Sequence, residues 1–121
     1  MSTPVQMTVQ WLVPPHEAER ITAALHALML AACSEPGYVR CRLSTDMGQR
    51  AWLRYAEEWN LEGDLQRQLR SSRFARLAEL IERAVERPLV EFELPSGTRG
   101  LDYVAEVRGH TEEEPITEKP I

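Results

Sequence analysis

At 121 residues, with 43% apolar side chains, the chain is the size of one ordinary globular domain with one core. Its formal charge is −5, of which the last segment GHTEEEPITEKPI supplies −3 (one Lys against four Glu), leaving −2 for the body and excluding a general attraction to a phosphate backbone. No apolar run approaches the roughly 20 residues that span a bilayer, and the opening MSTPVQMTVQ lacks the basic-then-apolar layout of a secretory signal, so the expectation is a soluble cytoplasmic protein with neither membrane nor nucleic acid as partner.

Val5, Met7, Val9, Trp11 and Val13 alternate with polar residues, the period of a strand with one buried face, and Pro14-Pro15 ends it. From His16 to about Cys33 the spacing of Ile21, Leu25, Leu28 and Ala32 predicts a helix, closed by Ser34-Glu35-Pro36-Gly37. Val39, Cys41 and Leu43 begin a second strand that ends in the turn-like TDMGQ. A third strand runs from about Ala51 to Trp59, with Leu53, Tyr55, Glu57 and Trp59 on one side. A helical region follows from about Leu61, interrupted at Ser71 and Ser72, where a hydroxyl can cap a new turn, and resumes through Phe74, Leu77, Ile81 and Val85. Val90, Phe92 and Leu94 form a fourth strand after Arg87-Pro88. PSGTRG reads as a turn and Leu101 to Arg108 as a short fifth strand, and the acidic tail 109–121 is expected to be flexible beyond a single domain of residues 1–108.

The order strand, helix, strand, strand, helix, strand is the ferredoxin-like α+β pattern, βαββαβ with an antiparallel sheet. It puts Val9, Trp11, Val39, Cys41, Leu43, Tyr55, Trp59, Phe92 and Leu94 under the helices. The opposite face carries Gln6, Thr8, Gln10, Arg40, Arg42, Arg54, Glu91 and Glu93, a mixed-charge surface for water or a second copy.

Three short motifs fall on this frame: Glu35-Pro36-Gly37 before the second strand, Glu57-Glu58-Trp59 ending the third, and Leu69-x-Ser71-x-x-Phe74 in the second helical region. With the element order, they resemble the antibiotic-biosynthesis monooxygenase family over roughly Val5 to Leu94. The resemblance implies a homodimeric α/β barrel with two sheets packed face to face. It also implies a cavity between sheet and helices, and a cofactor-independent monooxygenase acting on a small aromatic or quinol. The alternative is a non-catalytic ligand-binding or accessory protein that retains the fold. The sequence departs from the family pattern at Gln68, where a histidine often stands, and at Ala56, where a tyrosine often stands. Without that imidazole the haem-degrading branch lacks its axial ligand.

Oxygenation of an electron-rich phenol needs a base, an apolar cavity and hydrogen-bond donors. Glu57, Tyr55 and His26 are the candidate catalytic residues, and Trp11, Trp59, Gln68 and Phe92 the candidate substrate contacts. Each has a plainer reading beside it. Trp11, Tyr55 and Trp59 can simply fill the core, although Trp59 is expected to line a cavity with Tyr55 and Glu57. Glu57, a carboxylate on an apolar face, either serves that cavity or pairs with an arginine at the sheet edge. His26 is either a base or a partly buried, hydrogen-bonded imidazole. No metal-ligand spacing and no glycine-rich phosphate loop occurs, and two cysteines, Cys33 and Cys41, are too few for a disulfide framework. Arg67, Arg70, Arg73 and Arg76 recur every three residues and so spiral round a helix by about 60° per step without forming a stripe.

Overall fold

A computed structural model describes residues 4–48 and 50–117. Five strands, β1 (Val5–Val13), β2 (Tyr38–Met47), β3 (Ala51–Trp59), β4 (Leu89–Leu94) and β5 (Gly97–Arg99), form one antiparallel sheet in the order β2-β3-β1-β4-β5. The helices are α1 (Ala18–Ala32), preceded by a 3-10 turn at Pro15–Glu17, α2 (Glu62–Leu69), α3 (Ser72–Ile81) and α4 (Asp102–Thr117). This is the expected α+β ferredoxin-like fold. The sheet of one chain is open, so a barrel requires a second copy. No helix among the described residues is long and apolar enough to cross a membrane.

The period-2 pattern sets the two faces. On β1, Val5, Met7, Val9, Trp11 and Val13 are buried while Gln6, Thr8 and Gln10 are half-exposed. The helices add Ile21, Leu25 and Leu28 from α1, Leu65 and Leu69 from α2, and Phe74 and Leu77 from α3 to the same core. The expected interruption at Ser71 is real. Its hydroxyl accepts from the Phe74 amide at 3.2 Å, the N-cap that starts α3 on a new axis.

The turn before β2 depends on Gly37, at φ +83°. A Cβ there would lie 2.1 Å from Asp64 Oδ2, while the Gly37 carbonyl accepts from the Asn60 amide at 2.7 Å. Since Asp64 also accepts from the Leu61 amide at the start of α2, the glycine fits the Glu35-Pro36-Gly37 turn against the end of β3 and the cap of α2.

Three expectations are corrected. Residues 102–108 are helical and Leu101 is in the turn before them, so 101–108 is not a fifth strand. Leu101 and Ala105 are exposed, while Tyr103 and Val107, four apart, are buried, and the Tyr103 ring lies 5.0 Å from that of Phe92. The fifth strand is instead within PSGTRG, where Gly97 at φ +125° closes a tight hairpin with Leu94 opposite. Val39 is 40% exposed, because the β2–β3 register shifts between Tyr38 and Arg40 and leaves it as the extra residue of a bulge. Of the expected tail, residues 109–117 continue α4 and 118–121 lie outside the described residues.

Candidate functional site

Beneath the helices, β3 presents a polar cluster inside the core. Glu57 is 1% exposed and, since β3 lies between β2 and β1, it is interior to the sheet, not at its edge. Its cation is Arg73, in the first turn of α3, whose Nη2 donates to both carboxylate oxygens at 2.9 Å. Tyr55 Oη donates to Glu57 Oε2 at 2.5 Å and Trp59 Nε1 to Oε1 at 3.0 Å. Arg73 also donates through Nε to Gln68 Oε1 (3.0 Å) and through Nη1 to the Leu28 carbonyl (3.1 Å). Gln68 Nε2 passes the chain on to Glu35 Oε1 at 2.9 Å. One guanidinium thus ties α1, α2, α3 and β3 together, and its carbon lies 5.8 Å from the Trp59 ring centroid.

This wiring sets the protonation states. Burial and then the Glu57 carboxylate push Tyr55 well above the ordinary tyrosine range, so it stays a neutral phenol. Cys41, opposite Glu57 in the β2–β3 register and 3.9 Å from Tyr55 Oη, is pushed up to about 11 by burial and by Glu57, so it stays a thiol. For Arg73 burial opposes the charge, but Glu57 and Tyr55 outweigh it, and its pKa is raised. Glu57 accepts from three side chains, an arrangement suited to anchoring Tyr55 and Arg73 more than to abstracting a proton.

Among the sequence candidates, Glu57, Tyr55, Trp59 and Gln68 come together here. Trp59 is fully buried, edge-on to Tyr38 with ring centroids 6.0 Å apart, so it closes the core where a cavity wall was expected. Trp11 and Phe92 are also buried: Phe92 is in the row of Glu57 but two strands away, beyond Met7, and Trp11 is in another row. Phe92 packs on Tyr103, and Trp11 Nε1 has no hydrogen-bond partner among the described residues. His26 lies apart, on the exposed side of α1.

His26 borders β2, whose inward face the helices leave half-covered. The inward residues of β2, Tyr38, Cys41 and Leu43, are only partly buried. Between α1 and β2 lie two clefts that share His26. One, of about 380 Å³, is lined by His26, Met29, Leu30, Cys33 and Tyr38. The other, of about 500 Å³, is lined by residues that include Glu19, Thr22, His26, Thr45 and Met47.

Sequence reasoning missed Arg73, Cys41 and Tyr38 as members of this region. Arg73 had a usable signal. It lies four residues before Leu77 and beside Phe74, on the buried side of α3, and a carboxylate on an apolar face requires a cation from the element covering it.

No family model matches the sequence, and no curated protein does. Solved structures do match. A Pseudomonas aeruginosa protein is 23% identical, with 76% of this chain and 93% of that one covered, at a TM-score of 0.63. A Nitrosomonas europaea protein, provisionally named an antibiotic biosynthesis monooxygenase, is 12% identical over 76% of this chain and 89% of its own, at a TM-score of 0.66. A Caulobacter crescentus protein with the same provisional name is 16% identical over 74% and 86%, at a TM-score of 0.64. The chain has the ferredoxin-like α+β fold of the structures that carry the antibiotic biosynthesis monooxygenase name.

Proposed function

We propose that the protein takes a small aromatic or quinol-type molecule into the apolar α1–β2 cleft and acts on it as a cofactor-independent monooxygenase. The observation that carries this reading is the cleft itself. Met29, Leu30 and Tyr38 give it apolar walls, His26 stands at its rim, and Cys41 follows Tyr38 on the same inward face of β2, beside Tyr55. In such a reaction one oxygen atom replaces two hydrogens on a substrate carbon and the other leaves with them as water, so the substrate's own electrons reduce the oxygen. In this reading His26, at the rim, accepts a phenolic proton first. The monooxygenase name of the fold neighbours supports the same class.

A second reading, a ligand-binding protein without chemistry, is favoured by one observation: Glu57 is saturated by Tyr55, Trp59 and Arg73. Oxygen uptake with a panel of hydroquinones and anthrone-like phenols separates the two. Turnover supports the enzyme. Binding without turnover across the panel supports the second reading, and absence of both removes the cleft as a site.

The same proposal includes a homodimer through the outer face of the sheet. Cross-strand register puts Arg40, Glu58, Gln6 and Glu93 in one row, and Arg42, Ala56, Thr8 and Glu91 in the next. Basic residues therefore lie on β2, where Arg40 and Arg42 share Glu58 of β3, and further acidic ones on β4. A two-fold axis between the faces and along the strands sets β2 of one copy over β4 of the other, so Arg42 meets Glu91 and Arg40 meets Glu93 of the second copy, with Ala56 over Thr8 and Glu58 over Gln6 between them. Sedimentation equilibrium at micromolar concentration is expected to give a dimer that Arg40→Glu with Arg42→Glu dissociates. A monomeric wild type overturns it.

A further inference from the structure

We infer that Trp52 is the anchor of a self-association surface: at one end of the sheet's outer face its indole seats on Leu12 of a second copy, so that Trp52 and Leu12 of both copies form one apolar cluster on the two-fold axis. The inference rests on the homodimer reading and adds the residues that supply its affinity.

The outer face changes character along the strands. Two rows carry the charges, Arg40 with Glu93 and Arg42 with Glu91 at their ends. Further along, the register sets Asp46, Trp52 and Leu12 side by side on β2, β3 and β1. Leu12 points outward by strand alternation yet is buried, whereas its neighbour Trp52 is 37% exposed. Leu89, in the adjacent row with Gln10 and Arg54, is exposed as well. So is Val85, whose amide donates to the Leu12 carbonyl at 2.7 Å. The other two tryptophans, Trp11 and Trp59, are both buried in the core. Single apolar side chains at a surface are ordinary, but an indole contiguous with leucines is the kind of patch that marks a contact site. A concavity of about 370 Å³ opens beside it, lined by residues that include Ser44, Asp46, Trp52 and Arg54.

Symmetry selects the occupant. The axis that sets Arg42 over Glu91 of the second copy runs along the strands between β3 and β1, and it lays each row over the same row of the other copy. In the row of Trp52 it sets Trp52 over Leu12 and Leu12 over Trp52 of the second copy. In the adjacent row it sets Arg54 over Gln10 and Ser44 over Leu89. One operation therefore matches charge with opposite charge at one end and indole with leucine at the other. The two ends do different work. Charged pairs at a partly solvated interface fix register and exclude wrong partners, whereas a tryptophan withdrawn from water into an apolar seat is the commonest source of binding energy.

The test uses the full chain and begins without a variant. Because Trp11 and Trp59 are buried, acrylamide quenching of tryptophan fluorescence reads Trp52. Quenching should rise on dilution from micromolar to nanomolar concentration, in step with the appearance of monomer in sedimentation. Trp52→Ser should raise the dimer dissociation constant by about 30-fold or more, the loss that defines an interface hot spot, with the circular dichroism of the folded chain retained. If that variant does not fold, the wild-type quenching still decides. A wild-type dimer whose quenching is the same at every concentration, or a Trp52→Ser chain that dimerises with wild-type affinity, overturns the anchor and leaves the dimer standing on its charged rows. A wild type that is monomeric at micromolar concentration overturns the dimer and the anchor with it.

Discussion

Strands β3 and β2 are hydrogen-bonded neighbours beneath one helical layer, yet that layer treats them differently. Over β3 the helices close completely, and even the polar groups are matched, Glu57 with Arg73, Tyr55 and Trp59. Over β2 the inward side chains stay half-buried and two clefts remain. Arg73 joins α1 to the β3 cluster, since it donates to the Leu28 carbonyl as well as to Glu57, whereas no such tie reaches β2 among the described residues. Stability is therefore expected to concentrate over β3 and ligand binding over β2.

The sharpest way to break that division is to remove the clamp. Arg73→Met leaves Glu57 buried without a counter-charge and should cost about 3–5 kcal/mol in urea denaturation, because a lone buried charge is far worse than none. Arg73→Met combined with Glu57→Gln should recover much of the loss, since the second change removes the stranded charge. A loss below about 1 kcal/mol in the single variant would mean that the pair is solvated and the contrast between the strands is not real.

Trp59→Phe probes the same side more gently. It removes the indole donor to Glu57 and part of a fully buried ring, with an expected cost of about 1–3 kcal/mol. Affinity for an aromatic probe should stay within about twofold, because it is Tyr38, not Trp59, that lines the cleft. Unchanged stability with lost binding would restore the tryptophan as a cavity wall.

Much of this arrangement was legible in the sequence because the rule involved was local. Period-2 alternation located β1 to β4, and the serine pair located the break between α2 and α3. Residues 101–108 misled because Leu101, Tyr103, Ala105 and Val107 alternate as a strand does, while the subset Tyr103 and Val107 also has helical spacing. Packing on Phe92 and the Arg99 pairs with Asp102 and Glu106 go with the helix. The bulge at Val39 is a register event between two strands, and one strand's pattern carries no record of it. At the site, the anomaly of Glu57 was visible, but its partner Arg73 lies sixteen residues away and became adjacent only through the fold.

Alkaline titration adds a graded test of the boundary between the two strands. Cys41 is raised from 9.0 to about 11 by burial and by Glu57. The unfolded thiol ionises first, so between those two values the folded chain holds more protons and stability should fall as pH rises. The slope is at most ~1.4 kcal/mol per pH unit for one proton. Tyr55, raised in the same sense, should join above its ordinary value of 10.0. Cys41→Ser should flatten the first part of the decline, as read by denaturation at a series of pH values. A wild-type profile already flat from pH 9 to 11 would place Cys41 in solvent and extend the open region to Tyr55.

The smallest expected effect on stability falls on the other side of the comparison. His26 is exposed, and it lines both clefts. Replacing it with alanine removes no core contact, so His26→Ala should leave the unfolding free energy within about 0.5 kcal/mol of wild type. Binding should respond more, since the ring borders both compartments, and loss of its contact with an aromatic ligand should weaken a naphthol probe by about fivefold, or roughly 1 kcal/mol. Thermal unfolding and probe titration on the same preparation read the two quantities together. Equal small changes in both would make His26 an ordinary surface residue, and a loss of stability exceeding the loss of binding would reverse the assignment of structure to β3 and recognition to β2.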